Sequence, residues 1–463
     1  MAKSNESKTP TNPQRDFDIV IVGGGLVGAS LAAAIGNGEY KSNYKDRHFS
    51  VAVIEATAPA GTSESKTSQT RHPSFDDRQT ALAPSSRRFF EGLGLWPQIE
   101  AGATAIQDIH VSDRGHGGFT RLNAEQEGLP ALGHVVSNRH LGTVLGPAME
   151  RTATIFRPAE IVDLQPIQDT HTSAQPGDLA IQDTHTAGYR LRVSTPDGER
   201  TLTAKLLLVA DGMRSKTRGC LGIGLTERQY GQSAIIANVR TSRPHQGTAY
   251  ERFTPDGPLA MLPAGDGAVS VVWTLPPEKA EEAATQWTPI EFLAALQTAF
   301  GWRLGRLLEV SERHVYPLIA VTADQFVTDR AVILGNAAHA LHPVAGQGLN
   351  LALRDVDALA KTLTRIITET PTITETPTPD PYGPQRLADY EKDRRADYRR
   401  TFTFTDGLVR IFSNQFLPLV AVRNIGLTLL DLFPPARRLL LKQATGGNTA
   451  ATDTDKITTG GQA

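Results

Sequence analysis

Three turns, each entered from an apolar run, carry the residues whose types and spacing could do chemistry. In the first, Ile19 to Val22 lead into Gly23-x-Gly25-x-x-Gly28, and the small-residue stretch Ala29 to Ile35 follows. That spacing fits a strand–turn–helix unit that takes a pyrophosphate. Gly23 permits the tight turn, Gly25 lets the backbone approach the phosphates, and Gly28 lets helix and strand pack closely. Free N–H groups and the helix dipole then meet the negative charge. A second apolar run, Val51 to Ile54, ends in Glu55, an acid placed to take the ribose hydroxyls of an adenosine. The second turn follows Leu206 to Ala210 as the basic, hydroxyl-bearing stretch Asp211-Gly212-Met-Arg-Ser-Lys-Thr-Arg218. It stands at the end of a buried strand, where ligands sit in open parallel sheets. The third follows Ala331 to Leu334 as Gly335-Asn336, then His339, His342 and Gly346-Gln-Gly348, with a helix expected from about Leu349. Its glycines keep side chains away from something bulky, and the helix start points at it.

Positioning three such turns requires a doubly wound α/β sheet, and the rest of the chain reads as insertions into it. Between Ser233 and Leu275 the chain alternates in polarity and turns often at Gly and Pro, which predicts an antiparallel sheet inserted into the first domain. A helix over Pro289 to Phe300 and a strand at His314 to Leu318 complete that insert. The sequence divides into a disordered 1–15, a first sheet domain at 16–230, the inserted sheet at 231–320 and a return segment at 321–365. A low-complexity linker at 366–384, C-terminal helices at 385–446 and a disordered tail at 447–463 follow. Two copies of Ile-Gln-Asp-Thr-His-Thr, at 167–172 and 181–186, read as a local duplication in a hairpin loop. Glu391 and Asp393, set among arginines, read as the solvated face of a charged helix. Arg78 could place its guanidinium on the pyrophosphate or simply pair with a carboxylate at the surface.

Bulk composition narrows the function classes. A net charge of -2 gives no electrostatic reason for a nucleic-acid partner. The single cysteine, Cys220, excludes an internal disulfide, fits a reducing compartment and reads as a small buried residue. Met1 to Arg15 lacks the apolar core of a secretory signal, and no apolar run is long enough to span a bilayer, so a cytoplasmic location is expected. The histidines have no companion ligands at metal-binding spacing, so no metal site is expected. With one GxGxxG and no CxxC, a disulfide reductase with two nucleotide folds is disfavoured.

In this order, the glycine turn, the Asp211-Gly212 block and the Gly335-Asn336 block with Gly-Gln-Gly-Leu-Asn350 resemble the FAD-dependent aromatic hydroxylases. His110-Val-Ser-Asp-Arg-Gly-His116, Glu251-Arg-Phe-Thr254, Gly257-Pro-Leu-Ala-Met-Leu-Pro263 and Phe300-Gly-Trp-Arg-Leu-Gly305 resemble the 2-polyprenyl-6-methoxyphenol hydroxylases of ubiquinone biosynthesis. The resemblance implies a Rossmann-like FAD domain, an inserted substrate sheet and a C-terminal helical region. Gly23, Gly25, Gly28 and Glu55 would bind the ADP half of FAD; Arg78 and Arg139 would contact its phosphate or flavin side. Asp211 and Gly212 would touch the pyrophosphate–ribityl region, and Gly335 with Asn336 the ribityl chain. Family members usually carry Asp at position 336, and the amide of Asn336 can hydrogen-bond a hydroxyl but lacks the charge. Gly348, Leu349 and Asn350 would bring backbone N–H groups to the flavin pyrimidine.

The implied reaction is ring hydroxylation of a polyprenylated methoxyphenol through a flavin C4a-hydroperoxide, with NAD(P)H as reductant and O2 as co-substrate. No side chain is assigned as catalytic, because the flavin carries the chemistry. An FAD-dependent oxidase or dehydrogenase of the same fold, or a flavin-binding scaffold subunit, are the alternatives. A substrate of this kind lives in the membrane, so peripheral contact at the inner membrane face, or with other ubiquinone-biosynthesis proteins, is expected. The apolar and basic stretch Phe416 to Lys442 is the sequence's candidate for that contact, or else a helical pair packed as core.

Overall fold

The computed structural model describes residues 15–36, 49–58, 76–115, 118–173, 181–341, 346–369 and 382–412. His116, His342, residues 37–48 and 59–75, the Thr/Pro-rich insert from 370 and the tail beyond 412 lie outside the described residues.

The first sheet is ordered Val327–Thr328, Ala331–Ile333, Gly198–Val209, Arg15–Val22, Val51–Ile54, Thr154–Phe156. The last five strands in that order run parallel. Strand Arg15–Val22 lies at its centre, and Ile19, Val20 and Ile21 are fully buried, which is why an unbroken apolar run is needed there. Its alternating side chains feed two cores. Ile19 and Ile21 meet Leu31 and Ala32 of helix Leu26–Gly36, while Val20 and Val22 meet Tyr189 and Leu191 on the other side.

That second side is covered by a long antiparallel hairpin, Glu160–Ser173 and Ile181–Thr195. The duplicated hexapeptides lie inside these strands rather than in the loop, with Thr170 opposite Thr184 and Gln168 opposite Thr186. The expectation of a loop duplication is corrected: each copy carries one Ile and two Thr, β-branched residues that suit extended backbone, so the copies lengthen the hairpin on both sides.

The second sheet is antiparallel except where Asp108–Asp113 pairs in parallel with Thr248–Thr254. Asp108–Asp113 and Phe119–Asn123 precede the inserted segment in the chain, so the sheet is assembled from separated stretches. One face is covered by helices Pro277–Thr285 and Pro289–Phe300, with Val271, Trp273, Leu259 and Met261 packed on Phe292 and Phe300. A capping box at Thr288 and Glu291 starts the second of these helices.

A small sheet of Gln79–Leu82, Gly133–Ser137 and Ala103–Ile106 lies between the two large ones. Helix Pro384–Phe412 is not merely a solvated charged face. Leu387, Tyr390, Arg394 and Tyr398 are buried along it, and Glu391 accepts from the Phe326 N–H at 3.0 Å and pairs with Arg395. Cys220 is exposed, contrary to the expectation, because its short helix Lys216–Cys220 ends at the surface.

Candidate functional site

At the first turn, backbone closeness accounts for the glycines. A Cβ on Gly28 would stand 1.8 Å from the Gly23 carbonyl oxygen, and one on Gly23 would meet the Ala210 carbonyl at 2.5 Å. Gly23 also has φ +99, a conformation that side chains rarely adopt. Helix Leu26–Gly36 can therefore start against the strand, with its N–H groups facing outward. Glu55, buried at the end of the next strand, accepts from the Gly24 N–H at 2.6 Å and from the Thr57 N–H at 2.7 Å. Both carboxylate oxygens keep acceptor capacity beside the turn.

The second turn faces the first across the sheet, since strand Gly198–Val209 pairs directly with Arg15–Val22. Asp211 Oδ2 accepts weakly from the Thr217 N–H at 3.3 Å, whereas its Oδ1 is buried with no partner among the described residues. Ser215, not Asp211, caps the following helix by accepting from the Arg218 N–H at 2.9 Å. Gly212 has φ +90, and a Cβ on it would meet nothing within 4 Å. Buried Arg218 ties this turn to the third, donating from Nη1 to the Ala337 carbonyl at 2.8 Å and the Met213 carbonyl at 3.3 Å.

In the third turn Gly335 adopts φ +56, and Asn336 is exposed while every residue from 331 to 335 and 337 to 340 is buried. Its amide thus leaves a rigid loop towards open space. Helix Gln347–Glu369 begins here with N–H groups that no helical carbonyl can reach, and a Cβ on Gly348 would meet nothing within 4 Å. The side chain of Asn350 is not available to a ligand. It accepts from the Ala83 N–H at 2.8 Å and the Ser86 hydroxyl at 2.7 Å, and donates to the carbonyls of Ala81 and Gly346 at 2.8 Å each. Sequence reasoning missed this clamp, as it missed the tie made by Arg218, because both join segments far apart in the chain. The Leu349 and Asn350 backbone remains the part that could face a cofactor.

Arg78 and Arg139 approach this region already engaged. Arg78 pairs with Asp76 at 2.5 Å and lies 5.3 Å from the centre of the Tyr316 ring; Arg139 pairs with Asp77. His339 is no loop residue. Its Nε2 bonds Asp355 Oδ2 at 2.5 Å in a buried pair, Asp355 Oδ1 accepts from Arg394 Nε at 2.6 Å, and Arg394 and Arg354 share Asp397. Burial works to raise the Asp355 pKa, but Arg394 and His339 overcome it and hold the carboxyl below its ordinary 3.8. No group of three metal-ligating side chains exists among the described residues.

The residues present suit FAD: a strand-end acid, an orphaned buried carboxylate oxygen, two glycines opening on space and two unsatisfied helix starts. Residues 169–401 match the family described as an FAD binding domain, which places the chain among FAD-binding proteins. More narrowly, the chain belongs to the FAD-dependent hydroxylase family of ubiquinone biosynthesis. The ubiquinone hydroxylase UbiL of Rhodospirillum rubrum is 34% identical over 433 residues, covering 93% of this chain and 89% of that protein. The 3-demethoxyubiquinol 3-hydroxylase of Escherichia coli is 29% identical, covering 93% and 98%. Among solved structures, p-nitrophenol 4-monooxygenase PnpA of Pseudomonas putida superposes with a TM-score of 0.69 at 18% identity, over 94% of this chain and 99% of that one, a likeness of fold.

Proposed function

We propose that this chain hydroxylates the ring of a polyprenylated phenol in ubiquinone biosynthesis, with FAD bound, NAD(P)H as reductant and O2 as co-substrate. The observation that carries the reading is the unpartnered Asp211 Oδ1 beside an open Gly212, in a chain of this family. When bound, FAD supplies the redox and oxygen chemistry. Glu55 would hold the adenosine ribose, the N–H groups after Gly23 the pyrophosphate, and Asp211 and Asn336 the flavin-side chain. The N-terminus of helix Gln347–Glu369 would lend positive potential to the flavin pyrimidine. Arg78 and Arg139, held by Asp76 and Asp77, would flank the phosphate or flavin side.

No helix among the described residues is long and apolar enough to cross a membrane. Contact with a bilayer surface or with other ubiquinone-biosynthesis proteins, through 416–442, is the accompanying proposal for access to the prenylated substrate. The protein should bind FAD non-covalently, so acid precipitation should release its yellow colour into the supernatant. Turnover of a short-chain prenylphenol in isotopically labelled oxygen should put one labelled atom on the ring. Product without label would favour an oxidase or dehydrogenase and overturn the hydroxylase reading.

A further inference from the structure

The second sheet has two very different faces. Tyr250, Met261, Val271 and Ile235 point to the helix-covered side, where Tyr250 meets Phe300 edge-on at 5.3 Å. Their strand neighbours point the other way. The registers align Val111, Glu251, Ala260, Val272 and Ile236 in one row across five strands on that opposite face. All five are partly accessible; the neighbours of Val111, Ala260, Val272 and Ile236 along their strands are buried, while Tyr250 and Arg252 beside Glu251 are half-buried. The row therefore borders open space, and it is apolar except for one carboxyl.

That space adjoins the candidate flavin site. Ala249, two residues before Glu251 and on its face, belongs to a cluster packed with Ala81. The Ala81 carbonyl receives the Asn350 amide, and a Cβ on Gly346 would lie 3.5 Å from Ala81 Cβ. Tyr316, aligned with Ala234 on the same face, has Arg78 over its ring.

Resting on the hydroxylase reading above, we propose that Glu251 accepts the substrate's phenolic O–H and takes its proton. Among the described residues its carboxyl has neither hydrogen bond nor ion pair. On its own face Asp113 lies two positions from Val111 along the neighbouring strand, and Arg78 is held by Asp76. From the C-terminal helix, Asp406 is held by Arg228 at 3.1 Å and Tyr230 at 3.3 Å. Arg252 and His110 point to the opposite face, with Arg303 and Arg121 acting on them there. With no cation facing it, burial raises the Glu251 pKa to about 7. A carboxylate of that basicity is suited to a phenol in a water-poor pocket. In the step, the phenolic O–H bond breaks, its electron pair stays on oxygen as the phenolate, and Glu251 becomes the neutral acid. The proton passes to solvent when product leaves. The phenolate is the more electron-rich ring for oxygen transfer.

The test uses FAD-loaded protein with 2-prenylphenol and its methyl ether, 2-prenylanisole, which has no O–H. Wild type should bind the phenol at least about tenfold more tightly than the ether at pH 8, as expected for a hydrogen bond to a charged group. Its kcat/KM for the phenol should rise with pH through a midpoint near 7. Glu251→Gln should erase both the preference and that limb while keeping FAD and a melting temperature no lower than that of wild type, and Glu251→Asp should restore part of the limb. A folded Glu251→Gln protein that keeps the limb and the preference overturns the proposal. So does equal affinity of wild type for phenol and ether, a result that needs no variant. Failure of wild type to hydroxylate any phenol overturns the hydroxylase reading itself, and this assignment with it.

Discussion

Glu251 and Asp355 are both carboxyls whose charge burial disfavours, yet they are pushed in opposite directions. Burial raises both. Asp355 lies between Arg394 and His339, whose charges and hydrogen bonds outweigh that penalty. Glu251 has no such partner and is left near 7. A carboxyl bonded to a buried arginine and a buried histidine holds helices Gln347–Glu369 and Pro384–Phe412 together. One with none, facing open space, is left with basicity to use on something that arrives from outside. Partners, more than depth, separate the structural acid from the reactive one.

The comparison can be broken most forcefully at Asp355. Asp355→Ala leaves Arg394 buried without its main partner and should cost about 3–5 kcal/mol of stability, read by chemical denaturation. The sign of the pH dependence follows from the depressed pKa. The contribution is complete above the ordinary carboxylate value of 3.8 and is lost as pH falls through the folded value below it. If Asp355→Ala melts like wild type at pH 7, the ion network contributes little.

Asp211 stands between the two cases, with one weakly bonded oxygen and one free. Asp211→Ala should weaken FAD retention by about 1.5–3 kcal/mol, the usual worth of hydrogen bonds to a charged group. Equilibrium dialysis against free FAD measures it. An unchanged FAD affinity with a lowered melting temperature would make Asp211 a turn-holding residue only.

Glu251→Gln should do the reverse of Asp355→Ala. A folded pKa raised from 4.5 to about 7 means that stability falls as pH rises between those values. Removing the charge should therefore gain about 1–3 kcal/mol at pH 8, and nothing at pH 4. Equal gains at both pH values would show that packing, not charge, is responsible. Asn336→Ala should show the smallest effect, about 0.5–1.5 kcal/mol on FAD binding, because a neutral amide makes the weaker bond. A loss larger than that of Asp211→Ala would reverse the expected order.

What the sequence made legible was local. The glycine turns, the apolar strands that enter them and the alternation of the inserted sheet depend on neighbours within a few residues, so the fold class could be read directly. Their roles toward FAD still rest on chemistry and resemblance. Glu251 was visible as part of a family block, but its isolation was not, since that depends on which charges fail to face it. The His339–Asp355–Arg394 network was not visible, because it joins a strand to two helices that only the fold brings together. The side-chain clamp of Asn350 was not visible, because Ala81, Ala83 and Ser86 lie 264 to 269 residues away in the chain. Cys220 was misjudged because composition says nothing about where a five-residue helix surfaces.

The Asn350 clamp has a consequence in time. It joins positions separated by 267 residues, and the central strand Arg15–Val22 must likewise wait for Gly198–Val209 to find its second parallel neighbour. During synthesis the glycine turn emerges early and stays half-built until the helix from Gln347 has left the ribosome. The apolar run Ile19 to Val22 at the centre of the sheet is thus left with an open edge while much of the chain is still being made. Such distant closures fold slowly and leave sheet edges open to other chains. Premature termination anywhere before Asn350 would leave a product with the phosphate turn but no flavin cradle, a candidate for chaperones and proteases rather than a smaller working enzyme.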